Sequence, residues 1–444
     1  NPILLKPSGE RVSQLVVRGR AVANVDAATY WANKASLWPK VLASYRQLAR
    51  NYDIIVAEGA GSPAEINLYP DDFVNMGLAG KLDAPVLLVG DIDRGGVFAS
   101  LYGTLALLPA ADRPRVRGLI INKFRGDPAI LAPGLRQLEE LTALPVLGVI
   151  PWLDLDLDDE DSLSPRLGRR SDARDLDVVV LRFPRLANFT DFSPWERFPD
   201  IRLRYVERVR DLGAPDLVLL PGSKNTLADL EWLKKGGLAA AVKRLAAAGT
   251  PVFGICGGYQ MLGEEVADPE GQEAGGRAAG LGLLPVTTAY RPRKTLARVT
   301  GEARVRAGFF ACLTGAILQG YEIHQGKSQL GEGGEPFGRL VTGQRGRYDG
   351  AARNNVAGTY VHGLFDNGVI PERLRAALRA ARGLSPLPPL PPVTDAKERE
   401  YQRLAAAVRR SLDIRQIYSL LGLDQPRKGK TPRGGLRYRK KGVF

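Results

Sequence analysis

Short apolar runs alternate with helical patterns along most of this chain, and this alternation constrains the fold more than any other feature. Four runs rich in β-branched residues lie in the first half, at residues 53–57, 85–89, 118–122 and 145–150. Strands that are apolar on both faces are typical of parallel sheets covered by helices. A helical pattern at residues 38–50 precedes the first run, and another at 129–141 lies between the last two. This alternation predicts βαβ units and an α/β fold.

A second α/β series follows a polar stretch from about Asp154 to Arg174. Its predicted strands lie at residues 176–181, 216–220 and 251–255. One long helix is predicted between the last two strands, at residues 226–248. A glycine-rich segment from Gly271 to about Gly350 contains only short strand-like pieces. A last helical region is predicted over residues 371–421.

The two series predict two doubly wound α/β domains, at residues 1–172 and 175–385, and a C-terminal helical extension with a tail at 386–444. No apolar run approaches the ~18–20 residues that a membrane-spanning helix needs. The chain opens on Asn1-Pro2-Ile3 without a signal-peptide pattern. Because two cysteines in 444 residues exclude a disulfide scaffold, a cytoplasmic location is expected.

Basic residues outnumber acidic ones, 62 to 48, which gives a net charge of +14. Eight of the basic residues lie between Arg427 and Phe444, where there is no acidic residue, so the body carries only about +6. Since the body shows no basic stripe, nucleic acid is not an expected partner. The tail is predicted to be a solvated end.

The strongest local signal is Gly254-Ile-Cys256-Gly-Gly258, between an apolar strand and a helical pattern. Small residues flank a nucleophile at such a strand-to-helix turn because there is no room for side chains. The pattern predicts that Cys256 is a nucleophile, and the alternative is a buried cysteine at a strand end. Cys312 lies in an apolar run and is predicted to be part of the core.

The chain contains only two histidines, His324 and His362. A catalytic thiol needs a base that is adjacent in space, and either histidine could serve. The rival interpretation is a zinc site formed by both cysteines and both histidines. Their positions lack the paired spacing of zinc fingers, so we favour the base.

The segment Pro221-Gly-Ser-Lys-Asn-Thr226 closes a predicted strand before a helix. The N–H of Gly222 is the expected first donor of an oxyanion hole, and the N–H of Gly257, next to Cys256, is the second. Capping of the helix by Asn225 or Ser223 is an alternative that is compatible with this role.

In the first half, Glu58 follows a predicted strand, and Asp91 and Asp93 end the next one, where α/β proteins bind ligands. Acidic residues at 154, 156 and 158–161 form a loop that could hold Mg²⁺ or could simply be solvated. The sequence contains no Walker A phosphate loop: Gly326-Lys327-Ser328 lacks the required upstream glycine, since Tyr321 stands there.

Nine segments, in this order, match one family. They are residues 1–7, 58–68, 89–98, 121–126, 189–192, 220–226, 254–262, 321–324 and 358–365. By these motifs, which cover roughly residues 1–385, the chain resembles the cobyric acid synthase family, the glutamine-dependent amidotransferases of cobalamin biosynthesis.

The resemblance implies two coupled sites. In a class I glutaminase-like domain, Cys256 would attack the glutamine amide and His362 would move the protons. The first domain resembles P-loop synthetases related to dethiobiotin synthetase, in which ATP and Mg²⁺ would activate a substrate carboxylate for reaction with ammonia. Asn122 and Lys123 would bind the nucleotide there, and Glu58 would bind Mg²⁺. The implied substrate is adenosylcobyrinic acid a,c-diamide, amidated at its b, d, e and g carboxylates.

The chain departs from the family pattern in two places. Many class I glutaminases carry a Glu two residues after the catalytic His, but Leu364 stands there, so a Cys–His dyad is expected. Glu322 is a candidate for an orienting residue, without an assigned partner. Family members also place a strand, a P-loop and its helix before the motif at residues 1–7. We therefore expect a truncated chain or a separate polypeptide that supplies the P-loop.

Three alternatives stay open at the level of sequence. One is the related cobyrinic acid a,c-diamide synthase or another ATP-dependent amidoligase. Another is a glutaminase subunit that delivers ammonia to a separate synthetase. The third is an inactive corrinoid-binding or RNA-associated scaffold that uses its basic tail.

Overall fold

The computed structural model describes residues 1–9, 12–69, 72–155, 157, 174–273, 275–342, 345–391 and 393–423. The chain forms two compact units, Asn1–Asp156 with Glu400–Phe444, and Leu157–Arg399. Two features of the sequence lie outside the described residues, namely the basic tail and the acidic loop apart from Asp154.

The first unit begins with an antiparallel sheet in the order β1-β2-β3, followed by two helices. These elements are β1 (Ile3–Gly9), β2 (Val12–Val17), β3 (Arg20–Asp26), α1 (Ala27–Asn33) and α2 (Trp38–Ala49). Asp26 caps α1, because its side chain accepts a hydrogen bond from the Thr29 N–H at 2.7 Å. The helix predicted over residues 38–50 is confirmed in α2.

The strand predicted at residues 53–57 is wrong, since this segment is an irregular loop. Val56 is 90% exposed. A strand depends on backbone hydrogen bonds to a neighbour, and in the described part of the chain none pairs with this segment. The apolar composition therefore does not produce a strand here.

The rest of the first unit is a parallel sheet in the order β4-β5-β6 with helices between its strands. The elements are α3 (Met76–Leu82), β4 (Val86–Asp91), α4 (Val97–Leu107), β5 (Val116–Phe124), α5 (Ala132–Thr142) and β6 (Val146–Pro151). Leu101, Leu119, Ile121 and Leu138 are fully buried in its core. This βαβ arrangement confirms the predicted α/β fold and three of its four strands.

The described residues of the second unit include a six-stranded sheet, a second sheet that contains two long strands, a two-stranded ribbon, and helices. Its elements are β7 (Leu176–Leu181), β8 (Leu186–Ala187), β9 (Ile201–Val206), α6 (Val209–Leu212), β10 (Leu217–Leu220), β11 (Gly222–Ser223), α7 (Thr226–Lys235), α8 (Leu238–Ala247), β12 (Val252–Ile255), α9 (Gly257–Leu262), β13 (Glu265–Asp268), β14 (Gly276–Ala279), β15 (Val286–Ala303), β16 (Ile317–Leu330), β17 (Gly338–Thr342), β18 (Arg345–Asp349), β19 (Ala351–Arg353), β20 (Val356–Thr359) and α10 (Val369–Ala381).

The six-stranded sheet has the order β19-β20-β12-β10-β7-β9, and all of it is parallel except β19. Every residue of β10 and β12 is buried, as expected for central strands covered on both faces. The carboxyl ends of β10, β12 and β20 lead into the segments that carry Gly222, Cys256 and His362. The fold therefore brings three predicted site segments to one edge of the sheet.

Two predictions for this unit are wrong. The single helix predicted over residues 226–248 is two helices, α7 and α8, because Gly237 adopts a left-handed backbone with φ of 76° and ends the first. The short strand-like pieces predicted between Gly271 and Gly350 include two long antiparallel strands, β15 and β16. The many glycines of this segment obscured their length.

The C-terminal helices are α11 (Val393–Ser411) and α12 (Ile414–Leu420). The N–H of Asp413, between them, donates to the carbonyl of Leu147 in β6 at 2.8 Å, and Leu412 forms a β-bridge with Gly148. From Glu400 onward the chain thus belongs to the first unit, and the exact domain bounds given by the sequence stay a prediction. Among the described helices, none has the length and apolar character needed to cross a membrane.

A buried ion group fixes α10 beside the start of β9. Asp200 accepts hydrogen bonds from Arg375 at 2.9 Å and from Arg379 at 2.8 Å. The side chains of Asp200 and Arg375 are 6% and 4% exposed. Removal of one partner of such a pair leaves an uncompensated buried charge, which costs more than the loss of a surface pair.

We predict that Asp200→Asn lowers the free energy of unfolding by about 3 kcal/mol, because Arg375 and Arg379 then lose the buried carboxylate that they share. Urea unfolding followed by tryptophan fluorescence measures this change. The matched control is Glu302→Gln, which removes a carboxylate paired with Arg304 on the surface and should cost less than about 1 kcal/mol. Equal effects of the two substitutions would contradict the prediction.

Candidate active site

Cys256 occupies the turn between β12 and α9. Its backbone is left-handed, with φ of 52° and ψ of −107°, which a non-glycine residue rarely adopts. A hydrogen bond of 2.9 Å from the Cys256 N–H to the Thr359 carbonyl ties the turn to β20. The cysteine is 8% exposed. The predicted strand–nucleophile–helix turn is therefore present.

The glycines around Cys256 are needed because the chain is crowded there. A Cβ atom on Gly254 would lie 2.6 Å from the backbone nitrogen of Tyr259, and one on Gly258 would lie 2.1 Å from the Leu220 carbonyl oxygen. Both contacts are shorter than real Cβ atoms tolerate and involve backbone atoms that cannot move aside. This is the physical reason for the spacing seen in the sequence.

His362 follows β20 and is held by two polar side chains. Its Nδ1 lies 2.7 Å from Oδ2 of Asp191 and 3.0 Å from the amide nitrogen of Asn188. The other oxygen of Asp191 accepts the Gly363 N–H at 2.8 Å, which fixes the carboxylate. Among the described residues, His362 Nε2 is buried and has no hydrogen-bond partner. The ring thus presents Nε2 for use by a reacting group.

The surroundings of His362 favour its charged form. Burial by itself would lower the pKa of the ring, but the charge and hydrogen bond of Asp191, together with the neighbouring Cys256, raise the pKa to about 10. A protonated imidazole beside a thiol can give its proton to a leaving group. Cys256 and His362 therefore lie in one site, as the sequence predicts, and their roles stay a prediction.

Asp191 contacts His362, and the sequence assigned no role to it; the expected Cys–His dyad stays a prediction. Leu364, which stands where many class I glutaminases have Glu, is fully buried in the core. Glu322, the weak candidate, forms an ion pair with Arg347 rather than with His362. Asp191 is 171 residues from His362 in the chain, and its segment, Phe189-Thr-Asp-Phe192, gave no sign of where it would lie.

His324, the alternative base, has a different environment. Its Nδ1 lies 2.7 Å from the Gly326 carbonyl, and its ring stacks on Tyr360 with centroids 3.7 Å apart. The thiol of Cys256 lies 3.9 Å from the carbonyl of the preceding residue, Ile323. In the described residues both histidines have a buried Nε2 without a hydrogen-bond partner, but only His362 has a carboxylate within hydrogen-bond distance, at Nδ1.

The zinc interpretation has no support among the described residues, which include both cysteines and both histidines and contain no cluster of three or more potential metal ligands. Cys312 is half-buried against the core, and burial raises the pKa of its thiol to about 11. An unreactive thiol in the core agrees with the sequence prediction for Cys312.

The two predicted oxyanion donors are adjacent to the site. A Cβ atom on Gly222 would lie 3.3 Å from Cε1 of His362, and one on Gly257 would lie 2.8 Å from the backbone nitrogen of Ser223. Gly257 is the first residue of α9, where backbone N–H groups have no partner within the helix. Gly222 pairs with Ala187 in the ribbon of β8 and β11. The side chain of Asn225 caps α7, so the alternative of a helix cap is also realised.

In the first unit, charged residues lie at the carboxyl ends of β4 and β5, at the same edge of their sheet. Lys123, with a left-handed backbone, places Nζ 2.7 Å from Asp91, and Arg125 lies 3.0 Å from Asp93. The hydrogen bond from Lys123 holds the pKa of Asp91 below its usual range. Asn122 accepts the N–H of Lys123 at 2.9 Å and so shapes this turn.

Glu58 lies in the irregular loop that replaces the predicted strand, and it is exposed. The side chain of Asn75 holds the next part of this loop through hydrogen bonds to both backbone groups of Ala60, at 3.1 and 2.9 Å. The structure records no contact of Glu58 with Asn122 or Lys123 in the described residues. Their shared role at a nucleotide site stays a prediction.

Family models match both units. A CobB/CobQ-like glutamine amidotransferase domain matches residues 177–369, and an AAA domain matches residues 11–160. The first match contains Cys256, His362 and Asp191. The fold and the site therefore define a glutamine amidotransferase of the ligase class. Its other domain is of the AAA type, which binds ATP.

The relatives narrow this class further. The cobyric acid synthase of Ruminiclostridium cellulolyticum is 48% identical over 95% of this chain and 83% of its own length. That of Yersinia enterocolitica is 48% identical over 97% of this chain and 86% of its own length, and that of Salmonella typhimurium is 46% identical over 95% and 84%. The chain belongs to the cobyric acid synthase family.

The expectation that another polypeptide supplies the ATP-binding part has no support, because the chain itself carries the AAA domain match over residues 11–160. The sequence expectation rested on the missing phosphate-loop motif alone. A single short motif is a weaker guide to domain content than a match over most of a domain.

We predict that Asp191→Asn lowers the rate of glutamine hydrolysis by about 100-fold, because His362 loses the group that orients and charges it. Without the carboxylate, the pKa of His362 should fall from about 10 toward its ordinary value of 6.5. Because the chain has two histidines, ¹⁵N NMR of labelled imidazole can follow this titration directly. The control is Asp211→Asn, which removes an exposed carboxylate that pairs with Arg210 on the surface. An unchanged His362 titration would contradict the role of Asp191.

Proposed function

We propose that this protein uses glutamine and ATP to amidate the b, d, e and g carboxylates of adenosylcobyrinic acid a,c-diamide. The observation that carries the proposal is the Cys256–His362–Asp191 arrangement at the end of a parallel sheet, in a chain of this family. The AAA domain match supports the use of ATP. The names of the relatives support a corrinoid product.

In the proposed glutaminase reaction, the Cys256 sulfur attacks the side-chain amide carbon of glutamine and forms a tetrahedral intermediate. His362, which in its charged form already holds the proton given up by the Cys256 thiol, donates it to the amide nitrogen, so that ammonia leaves and a glutamyl thioester forms. Water then attacks the thioester carbon, His362 accepts a proton from it, and glutamate leaves with the thiol restored. Asp191 is a positioning residue that holds Nδ1 of His362 throughout.

The negative oxygen of each tetrahedral intermediate needs donors in fixed positions. We assign this role to the N–H groups of Gly257 and Gly222, which belong to the turn of the nucleophile and to the adjoining ribbon. Preorganised backbone donors stabilise developing charge without reorganisation, typically by about 3 kcal/mol for each donor. The crowding around Gly257 leaves this part of the chain little freedom to move.

In the proposed synthetase reaction, a substrate carboxylate oxygen attacks the γ-phosphorus of ATP, and ADP leaves. Ammonia then attacks the carbon of the acyl phosphate, and phosphate leaves with formation of the amide. Lys123 and Asn122 are proposed to bind the nucleotide at the edge formed by β4 and β5. A Lys123–Asp91 ion pair keeps the ammonium group of Lys123 directed to this edge.

Mg²⁺ would be held by Glu58 together with the phosphates of ATP, and it would neutralise charge during phosphoryl transfer. The residues fit such a role, because Mg²⁺ commonly uses one or two carboxylates plus substrate phosphates rather than a cage of protein ligands. Glu58 is exposed and therefore accessible to a nucleotide.

The test is a product assay. The 444-residue chain, Mg-ATP, adenosylcobyrinic acid a,c-diamide and amide-¹⁵N glutamine are combined, and mass spectrometry counts the labelled amides. We expect four labels per corrinoid. In a parallel assay with cobyrinic acid as the substrate, two labels at the a and c positions, with none added to the a,c-diamide, would identify the related a,c-diamide synthase.

Cys256→Ala separates the two half-reactions. We expect it to abolish amidation from glutamine, because no thioester forms, and to retain amidation from added ammonium chloride. Cys312→Ala is the matched control and should leave both activities unchanged, since this thiol lies against the core. The division into two sites would be contradicted if Cys256→Ala, but not Cys312→Ala, lost the amidation that uses added ammonium chloride.

A further inference from the structure

A group of buried polar side chains lies beside the nucleophile and has no part in the proposed reaction. Glu322 and His324 are on β16, on either side of Ile323, whose carbonyl is 3.9 Å from the Cys256 thiol. Arg347 and Asp349 are on β18. The side chains of Glu322, His324 and Asp349 are 0%, 8% and 1% exposed.

Three atoms of this group are buried without a hydrogen-bond partner in the part of the chain that the structure describes. They are Oε1 of Glu322, Nε2 of His324 and Oδ1 of Asp349. Buried polar atoms nearly always have partners, so each exception requires an explanation. Oε1 of Glu322 and Nε2 of His324 are 3.7 Å apart, which is too long for a hydrogen bond between them.

All three atoms are hydrogen-bond acceptors. The Nδ1 of His324 must carry the ring proton, because its partner at 2.7 Å is the Gly326 carbonyl, which can only accept. In the neutral ring, Nε2 is then an acceptor. Stacking on Tyr360 fixes the ring in this orientation. The group therefore needs a ligand that donates several hydrogen bonds.

The charge of the group points to a monovalent cation. Two carboxylates, from Glu322 and Asp349, face one guanidinium, from Arg347, which forms an ion pair with Glu322 and lies 3.7 Å from Asp349. An anion would be repelled. A potassium ion prefers oxygen ligands, whereas an N–H donor suits the imidazole nitrogen of His324. Ammonium has four donors and one positive charge.

We infer that Glu322 and His324 form a binding site for the ammonium ion or ammonia that glutamine hydrolysis releases. One nitrogen within hydrogen-bond distance of both atoms would satisfy Oε1 of Glu322 and Nε2 of His324 at once, and Asp349 adds negative charge. The Ile323 carbonyl separates this site from the thiol by one residue of β16. The inference rests on the proposed function, because that reaction supplies the ligand.

The test is a titration of the full-length protein with ammonium chloride, potassium chloride or sodium chloride at equal ionic strength, with ¹⁵N-labelled histidine as the probe. We expect the Nε2 resonance of His324 to shift and saturate with ammonium only. Glu322→Gln should weaken this binding at least tenfold, and Glu302→Gln, which removes a surface carboxylate, should not change it. His324→Gln identifies the resonance.

An equal response to potassium would overturn the assignment to ammonium, and the absence of any saturable shift would overturn the site. The comparison of the three salts uses the unaltered protein, so it stands even if Glu322→Gln does not fold. Release of glutamate from glutamine is measured in parallel. If that activity is absent while ammonium binds, the proposed function fails and the site does not.

Discussion

The left-handed turn at Cys256 is the constraint on which the rest of the second unit depends. A side chain can be held in this backbone conformation only if the surrounding chain is fixed, and here two strands and a helix fix it. The Cys256 N–H bonds to β20, Gly258 packs on the last carbonyl of β10, and Gly254 packs on the first turn of α9. The same contacts bring the segments of Gly222 and His362 to the nucleophile.

The second sheet contributes to the site through β16. In this strand the Tyr321 N–H donates to the His362 carbonyl at 3.1 Å, and the Tyr321 carbonyl accepts the His362 N–H at 2.8 Å. The strand passes Cys256 at Ile323. Alternate residues of the strand consequently face different surroundings. Tyr321 stacks on His362, while Glu322 belongs to the buried ionic group with Arg347. One strand thus links the reacting residues to the proposed ammonium site.

The sequence predicted those parts of the fold that local signals determine. The elbow around Cys256 was found because crowding imposes glycine at two fixed positions. The strands β4, β5 and β7 were found because their residues form short apolar runs. The predicted strand at residues 53–57 failed because strand formation depends on a neighbour, which local composition does not report. The break at Gly237 was missed because the helical pattern continues on both sides of it.

Asp191 shows why the site could be predicted only in part. Its partner His362 is distant in the chain, and Asp191 lies in a 3₁₀ helix, Phe189–Arg197, whose placement beside His362 depends on tertiary packing. Glu322 is the candidate that the sequence suggested instead, but in the structure this carboxylate forms an ion pair with Arg347. Charge pairing across such distances is a property of the tertiary structure. The proposed ammonium site could not be predicted from the sequence for the same reason, since its acceptors come from two different strands, β16 and β18.

The central claim is that Cys256 is the nucleophile that attacks glutamine. The most direct measurement treats the protein with a diazoketone analogue of glutamine, which alkylates the attacking thiol, and locates the adduct by mass spectrometry of peptides. The chain provides its own control, because its only other cysteine is Cys312. The account predicts an adduct on Cys256 alone, prevented by excess glutamine. An adduct on Cys312, or on neither cysteine, would contradict it.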